Sequence, residues 1–178
     1  INAYNAAAVL LIADHYPVGG IREIVPLWRR PFESVFKRPL VALGHLAPWS
    51  QSGSLSLDDI EHRILRPRFH DPRIHFAVVC AAKGCPHLAS QAYEGATLEA
   101  QLEEATRAFL RDPTKNRYDG EGDRLELSPI FKWFAADFGG RGALAAYWAA
   151  YAAPDPRRTA GRSSTRVTFT EYDWSLNE

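Results

Sequence analysis

Apolar residues at Tyr4, Ala7, Ala8, Leu11 and Ile12 recur with helical spacing, which predicts a helix over residues 2 to 15, closed by Pro17 and Gly19-Gly20. Between Val25 and Ser54, prolines at 26, 31, 39 and 48 break every period. That stretch reads as an irregular arm with short strands around Ser34 to Lys37 and Leu40 to Leu43. Its aromatics Trp28, Phe32, Phe36 and Trp49 are expected to anchor it into a core. Ser56 and Asp59 have capping-box spacing and open a helix through Leu57, Ile60, Ile64 and Leu65 that Pro67 is expected to stop. Ile74, Phe76, Val78 and Cys80 then alternate with His75, Ala77 and Val79, the pattern of a buried strand over 74 to 80.

Downstream, Thr97 can cap a long helix with the apolar stripe Leu98, Leu102, Ala105 and Phe109. A polar turn from Asn116 to Asp123 leads into a short strand at Leu125 and Leu127, as in a hairpin. Ser128-Pro129 starts a helix that Gly139-Gly140 ends, and an alanine-rich helix follows through Ala153. Pro154 to Ser164 reads as a surface loop, and alternation from Val167 to Trp174 predicts a final strand. These elements make a single α+β domain, with helices packed on a small, mostly antiparallel sheet containing the 74–80 and C-terminal strands.

Composition narrows the partners. The 178 residues suit one domain, and 21 Lys and Arg balance 21 Asp and Glu, so no net field favours nucleic acid. No apolar run approaches the roughly 20 residues that span a bilayer, and no signal-peptide pattern opens the chain. The expected partner is a small molecule or a peptide. Methionine is absent, and the opening Ile1-Asn2-Ala3-Tyr4 reads as the interior of a helical run, so residues 1–178 are expected to lack an N-terminal part of the domain.

Candidate chemistry gathers around the two cysteines. Gly84 supplies a turn, Cys85 falls at a helix N-cap position and Pro86 suits the first helical position, where the backbone amides favour a thiolate. Alternation turns His75 away from Cys80. The sharpest expectation is a cysteine-dependent hydrolase or acyltransferase acting on an amide or thioester. Cys85 would be its nucleophile, His62 its base, and Glu61, His75 and Asn5 or Asn2 its supporting groups. Chain order opposes this, because only His87 follows Cys85 and it is poorly directed toward it.

Two alternatives use the same residues. One is a small zinc site drawing on Cys80, Cys85, His62, His75 and His87, although no second ligand pair follows at close spacing. The other is a non-catalytic binding or scaffold module. There Asp71-Pro72-Arg73 and Glu61-His62-Arg63 join a buried polar network, Arg66 or Arg73 forks onto a carboxylate, and His75 is a satisfied core histidine. In an exported protein Cys80 and Cys85 can also close a local disulfide, which would silence both thiols. No cofactor is called for.

Several segments occur in the order found in one family. They are Ile1-Asn2-Ala3-Tyr4-Asn5-Ala6, Ser56-Leu57-Asp58-Asp59-Ile60-Glu61-His62, Ile64-Leu65-Arg66, Asp71-Pro72-Arg73-Ile74-His75-Phe76-Ala77, Gly84-Cys85-Pro86, Leu127-Ser128-Pro129-Ile130-Phe131-Lys132-Trp133, Asp137-Phe138-Gly139 and Tyr172-Asp173-Trp174-Ser175-Leu176-Asn177. Together they resemble the domain of unknown function 547 (DUF547) family across nearly the whole chain. The family carries no general activity. Its bacterial members often look exported and its plant members carry the domain behind a coiled coil. The closing Tyr-Asp-Trp-Ser-Leu-Asn is similar to the bacterial form, which implies an extracytoplasmic protein, periplasmic or secreted.

Overall fold

The computed structural model describes residues 1–30, 33–40, 53–152 and 165–177. Helix α1 (Asn2–Ala13) buries Tyr4, Asn5, Ala7, Ala8, Leu11 and Ile12, the face its spacing predicts. Ser56 makes the expected capping box: its hydroxyl accepts from Asp59 N–H at 3.0 Å and Asp59 accepts from Ser56 N–H at 3.0 Å. The short α2 (Leu57–Asp59) continues as a π-helical segment, Ile60–Leu65, and then as α3 (Arg66–Phe69). Pro67 does not stop this helix. The wide turn before it, in which Arg66 N–H donates to Glu61 C=O, starts a new helical stretch whose first turn tolerates proline. The end comes at His70, in the left-handed region at φ 51°.

The expected strand over 74–80 is absent. Asp71 accepts from Arg73 N–H at 2.9 Å and Pro72 sits in the first turn, so Pro72–Phe76 closes into a 3-10 helix. Ile74, His75 and Phe76 are buried consecutively, which a strand with only one covered face would not allow. Residues 77–79 join no ladder. Their backbone is held instead by Asn5, whose amide donates to Ala77 C=O at 2.8 Å and accepts from Val79 N–H at 3.0 Å. No helix follows Cys85 either. Residues 82–85 form a tight turn, Cys85 N–H donating to Ala82 C=O at 2.9 Å, pinned to the C-terminal segment by Lys83 N–H to Ser175 C=O and Gly84 N–H to Asp173 C=O.

After α4 (Leu98–Arg111), strands β1 (Arg117–Asp119) and β2 (Arg124–Leu127) form an antiparallel hairpin as expected, with β1 lying inside the stretch read as its turn. α5 (Pro129–Trp133) follows, capped by Ser128, then α6 (Leu144–Ala152) and β3 (Arg166–Phe169). β3 pairs with β2 in parallel, so the three-stranded sheet, in the order β1-β2-β3, is mixed rather than mostly antiparallel. The α+β class stands. In the arm, Val35–Lys37 is a 3-10 turn rather than a strand, and Trp28 is 76% exposed instead of anchored. Phe36 does pack against the core. Phe32, residues 41–43, Trp49 and the loop of residues 154–164 lie outside the described residues.

Two apolar clusters fill the interior. The first joins α1, the segment 57–65, Ile74, Val78 and both cysteines; the second joins Phe76, α4, the sheet and α5–α6. Tyr172 packs against both, and a cleft lined from both opens beside it.

Candidate functional site

The cleft has a volume of about 200 Å³. One wall is aromatic. Trp133 stacks on Trp174 with ring centroids 5.8 Å apart, and Tyr172 packs 4.9 Å from Trp133 and 4.5 Å from Trp174. Trp133 is 48% exposed, so its ring remains open to a visitor. The helix of residues 57–65 contributes Asp58, Glu61 and His62 to the lining, and His75 joins them.

Glu61 and His62 are neighbours on the π-helical segment and therefore aim apart. Glu61 turns inward and is buried, within 3.4 Å of the donating Tyr4 hydroxyl and 3.7 Å from His75 Nδ1. Burial raises its carboxyl to about 7, opposed by the nearby Arg66 guanidinium and the Tyr4 hydrogen bond. His62 turns outward. Arg66 has only donors to offer, so His62 Nδ1 accepts from it at 3.0 Å and the ring proton sits on Nε2, 3.7 Å from Asp58. Burial lowers the His62 pKa, against the pull of Asp58.

Behind them lies a tighter network. Arg66 forks onto Asp137 at 2.6 and 2.8 Å, and Asp137 also accepts from His75 Nε2 at 2.7 Å. The hydrogen bonds from Arg66 hold the Asp137 carboxyl down at about 2. His75 is pushed down to about 4 by burial, even with Asp137 opposing, so its ring is neutral with the proton on Nε2. That ring stacks on Phe134 at 4.0 Å, and Arg66 covers the same phenyl at 5.0 Å. Nδ1 of His75 therefore keeps a bare lone pair, buried and without a hydrogen-bond partner among the described residues.

The cysteines overturn the hydrolase expectation. Cys80 and Cys85 form a disulfide that lines the cleft, so neither is a free thiol and Cys85 cannot be a nucleophile. The helix that would have primed it is also missing. Both sulfurs contact the Tyr172 hydroxyl, at 3.4 and 3.2 Å. The bridge equally removes the thiolates from the zinc alternative, and no metal-holding group of His, Cys, Asp and Glu occurs among the described residues.

The remaining candidates divide. Glu61, His62 and His75 come together at the cleft. Asn5 does not: both ends of its amide are spent on Ala77 and Val79, and it can neither orient His62 nor stabilise an oxyanion. Asn2 is engaged likewise on the backbone of Tyr93. His87 is exposed and lines a different groove, while Arg73 forks onto Asp71 at 2.6 to 3.1 Å. Asp58, Asp137, Trp133, Tyr172 and Trp174 were not singled out as site residues. The signal that could have found them was their place inside the resembling segments, which hold all five.

Among the described residues no helix is long and apolar enough to cross a membrane. No curated protein and no solved structure matches the chain. One family model does, described as "Protein of unknown function, DUF547" and covering residues 1–110, the part that supplies Tyr4, Asp58, Glu61, His62, His75 and the disulfide; the chain belongs to the DUF547 family.

Proposed function

We propose that this chain is a non-catalytic binding module that holds a small molecule or one residue of a peptide in the aromatic cleft, and that it works in an oxidising, extracytoplasmic compartment. The observation that carries this reading is the cleft wall itself. Paired indoles and a tyrosine ring line about 200 Å³ together with buried polar groups, and both cysteines of the lining are closed in a disulfide. Disulfides persist outside the reducing cytosol, which supports the compartment. The balance of 21 basic and 21 acidic residues gives nucleic acid no electrostatic purchase.

A fragment screen by protein-observed NMR tests the reading. Aromatic fragments should shift the indole Nε1–H signals of Trp133 and Trp174 and be recovered chemically unchanged. Trp133→Ala should abolish those shifts without unfolding the chain, because that side chain is half-exposed. Hits that cluster elsewhere, or the absence of any hit, would overturn it.

A further inference from the structure

The geometry points to a protonated primary amine as the group this cleft receives, its three N–H donors taken by the Glu61 carboxylate, the His75 Nδ1 lone pair and the Asp58 carboxylate. This rests on the binding-module reading and names its ligand class. The inner end of the cleft presents acceptors. His75 Nε2–H is committed to Asp137, leaving Nδ1 as an acceptor that is buried and unmatched among the described residues. Glu61 Oε1 stands 3.7 Å from it, too far for a mutual hydrogen bond, and both residues line the same space. Asp58 lies one helical turn before Glu61 on the same wall.

Two of the nearby cations are already engaged, and Lys37, which acts on His62, is not among the groups acting on Glu61. Arg66 is forked onto Asp137, and Arg22 lies 4.9 Å from the centre of the Trp174 ring. An ammonium head is a compact charge with three donors and no acceptor, which matches the acceptor set of Glu61, His75 Nδ1 and Asp58. An aromatic wall adds attraction for a cation through the ring quadrupoles and covers the apolar body behind it. A carboxylate or phosphate ligand would meet Glu61 and Asp58 with like charge, and a neutral hydroxyl would satisfy fewer of the acceptors.

Binding should be linked to release of a proton. Around Glu61 stand Tyr4 from α1, Asp58 from α2, Arg66 from α3, His75 from the 3-10 turn, Asp137 beyond α5 and Tyr172 from the C-terminal segment. Burial keeps Glu61 partly protonated near pH 7, whereas Tyr4 and Tyr172 stay protonated and His75 stays neutral there. An arriving ammonium requires the ionised carboxylate.

The test is an NMR and calorimetric titration of the 178-residue chain with 2-phenylethylamine, 2-phenylethanol and 3-phenylpropanoate at pH 6 and pH 8. The amine should bind most tightly, roughly tenfold more tightly at pH 8 than at pH 6 as Glu61 passes from mostly protonated to mostly ionised. It should release a proton on binding, seen as heats that vary with buffer ionisation enthalpy. Glu61→Gln should remove both the preference for amine and the pH dependence. The pH profile of the unaltered chain decides the matter even if that variant does not fold. Equal binding of alcohol and amine, or affinity independent of pH, would overturn the amine assignment and leave the cleft a binding site. Failure of all three probes to bind would overturn both readings.

Discussion

Glu61 is a carboxyl held where its charge is expensive, and its cost to the fold depends on pH. Its folded pKa, about 7, lies above the ordinary 4.5, so between those values the folded chain keeps a proton that the unfolded chain releases. Stability therefore falls as pH rises through that window, by roughly 3 kcal/mol when complete. His75 acts in the opposite sense. Its folded pKa, about 4, lies below the ordinary 6.5, so stability falls as pH drops through that range. Between pH 4.5 and 6.5 the two slopes oppose each other, and the native chain should be nearly flat in stability. Urea unfolding at pH 5, 6.5 and 8 checks this. Glu61→Gln should be more stable than the native chain at pH 8, by up to about 3 kcal/mol, and should lose stability on acidification as the His75 slope emerges alone.

At the level of elements, the molecule relies on side chains where a sheet would ordinarily supply backbone partners. Asn5 reaches from α1 to bond both Ala77 and Val79, standing in for a neighbouring strand beside the segment that leads into the cleft. Asn5→Ala should cost about 2 kcal/mol by stranding a buried donor and acceptor, and the Val79 amide should exchange with deuterium much faster.

This also explains what could be read in advance. Helix α1, the Ser56 cap, the β1–β2 hairpin and the Ser128 cap follow from signals spanning a few residues, and all appear. The 74–80 segment misleads because alternation in a short apolar run does not distinguish a strand from a buried 3-10 turn between two cores. The local signals at Asp71 and Pro72 favoured the turn. Of the site, Glu61, His62 and His75 were visible as polar residues in apolar company. The divergent aims of Glu61 and His62 are those of any two helix neighbours, with Glu61 four residues from both Leu57 and Leu65 on the buried face; what no spacing rule marks is which distant groups they meet there.

On the scale of the whole molecule, the C-terminal segment ties the two cores together. Tyr172 packs against both, and the segment beyond it pins the 82–85 turn and pairs Leu176 N–H with Gly19 C=O at 2.8 Å. The approach at Gly20 is so close that a Cβ there would run into the Trp174 carbonyl oxygen. The disulfide stiffens the same corner across a sequence separation of 5. Reducing it should cost about 2 kcal/mol by the loop-closure relation, a fall in Tm of roughly 4 to 8 °C. Differential scanning calorimetry with and without dithiothreitol checks this, and the reduced chain should bind cleft ligands more weakly.

The late position of Tyr172 and Trp174 along the chain has a consequence for biosynthesis. A ribosome has made Glu61 and His75 more than ninety residues before it makes Tyr172 and Trp174. Until then Trp133 is the one member of the aromatic trio available to the cleft, so a chain still being translated has no finished pocket to fill. On the binding-module reading, recognition waits until those final aromatics have emerged and docked.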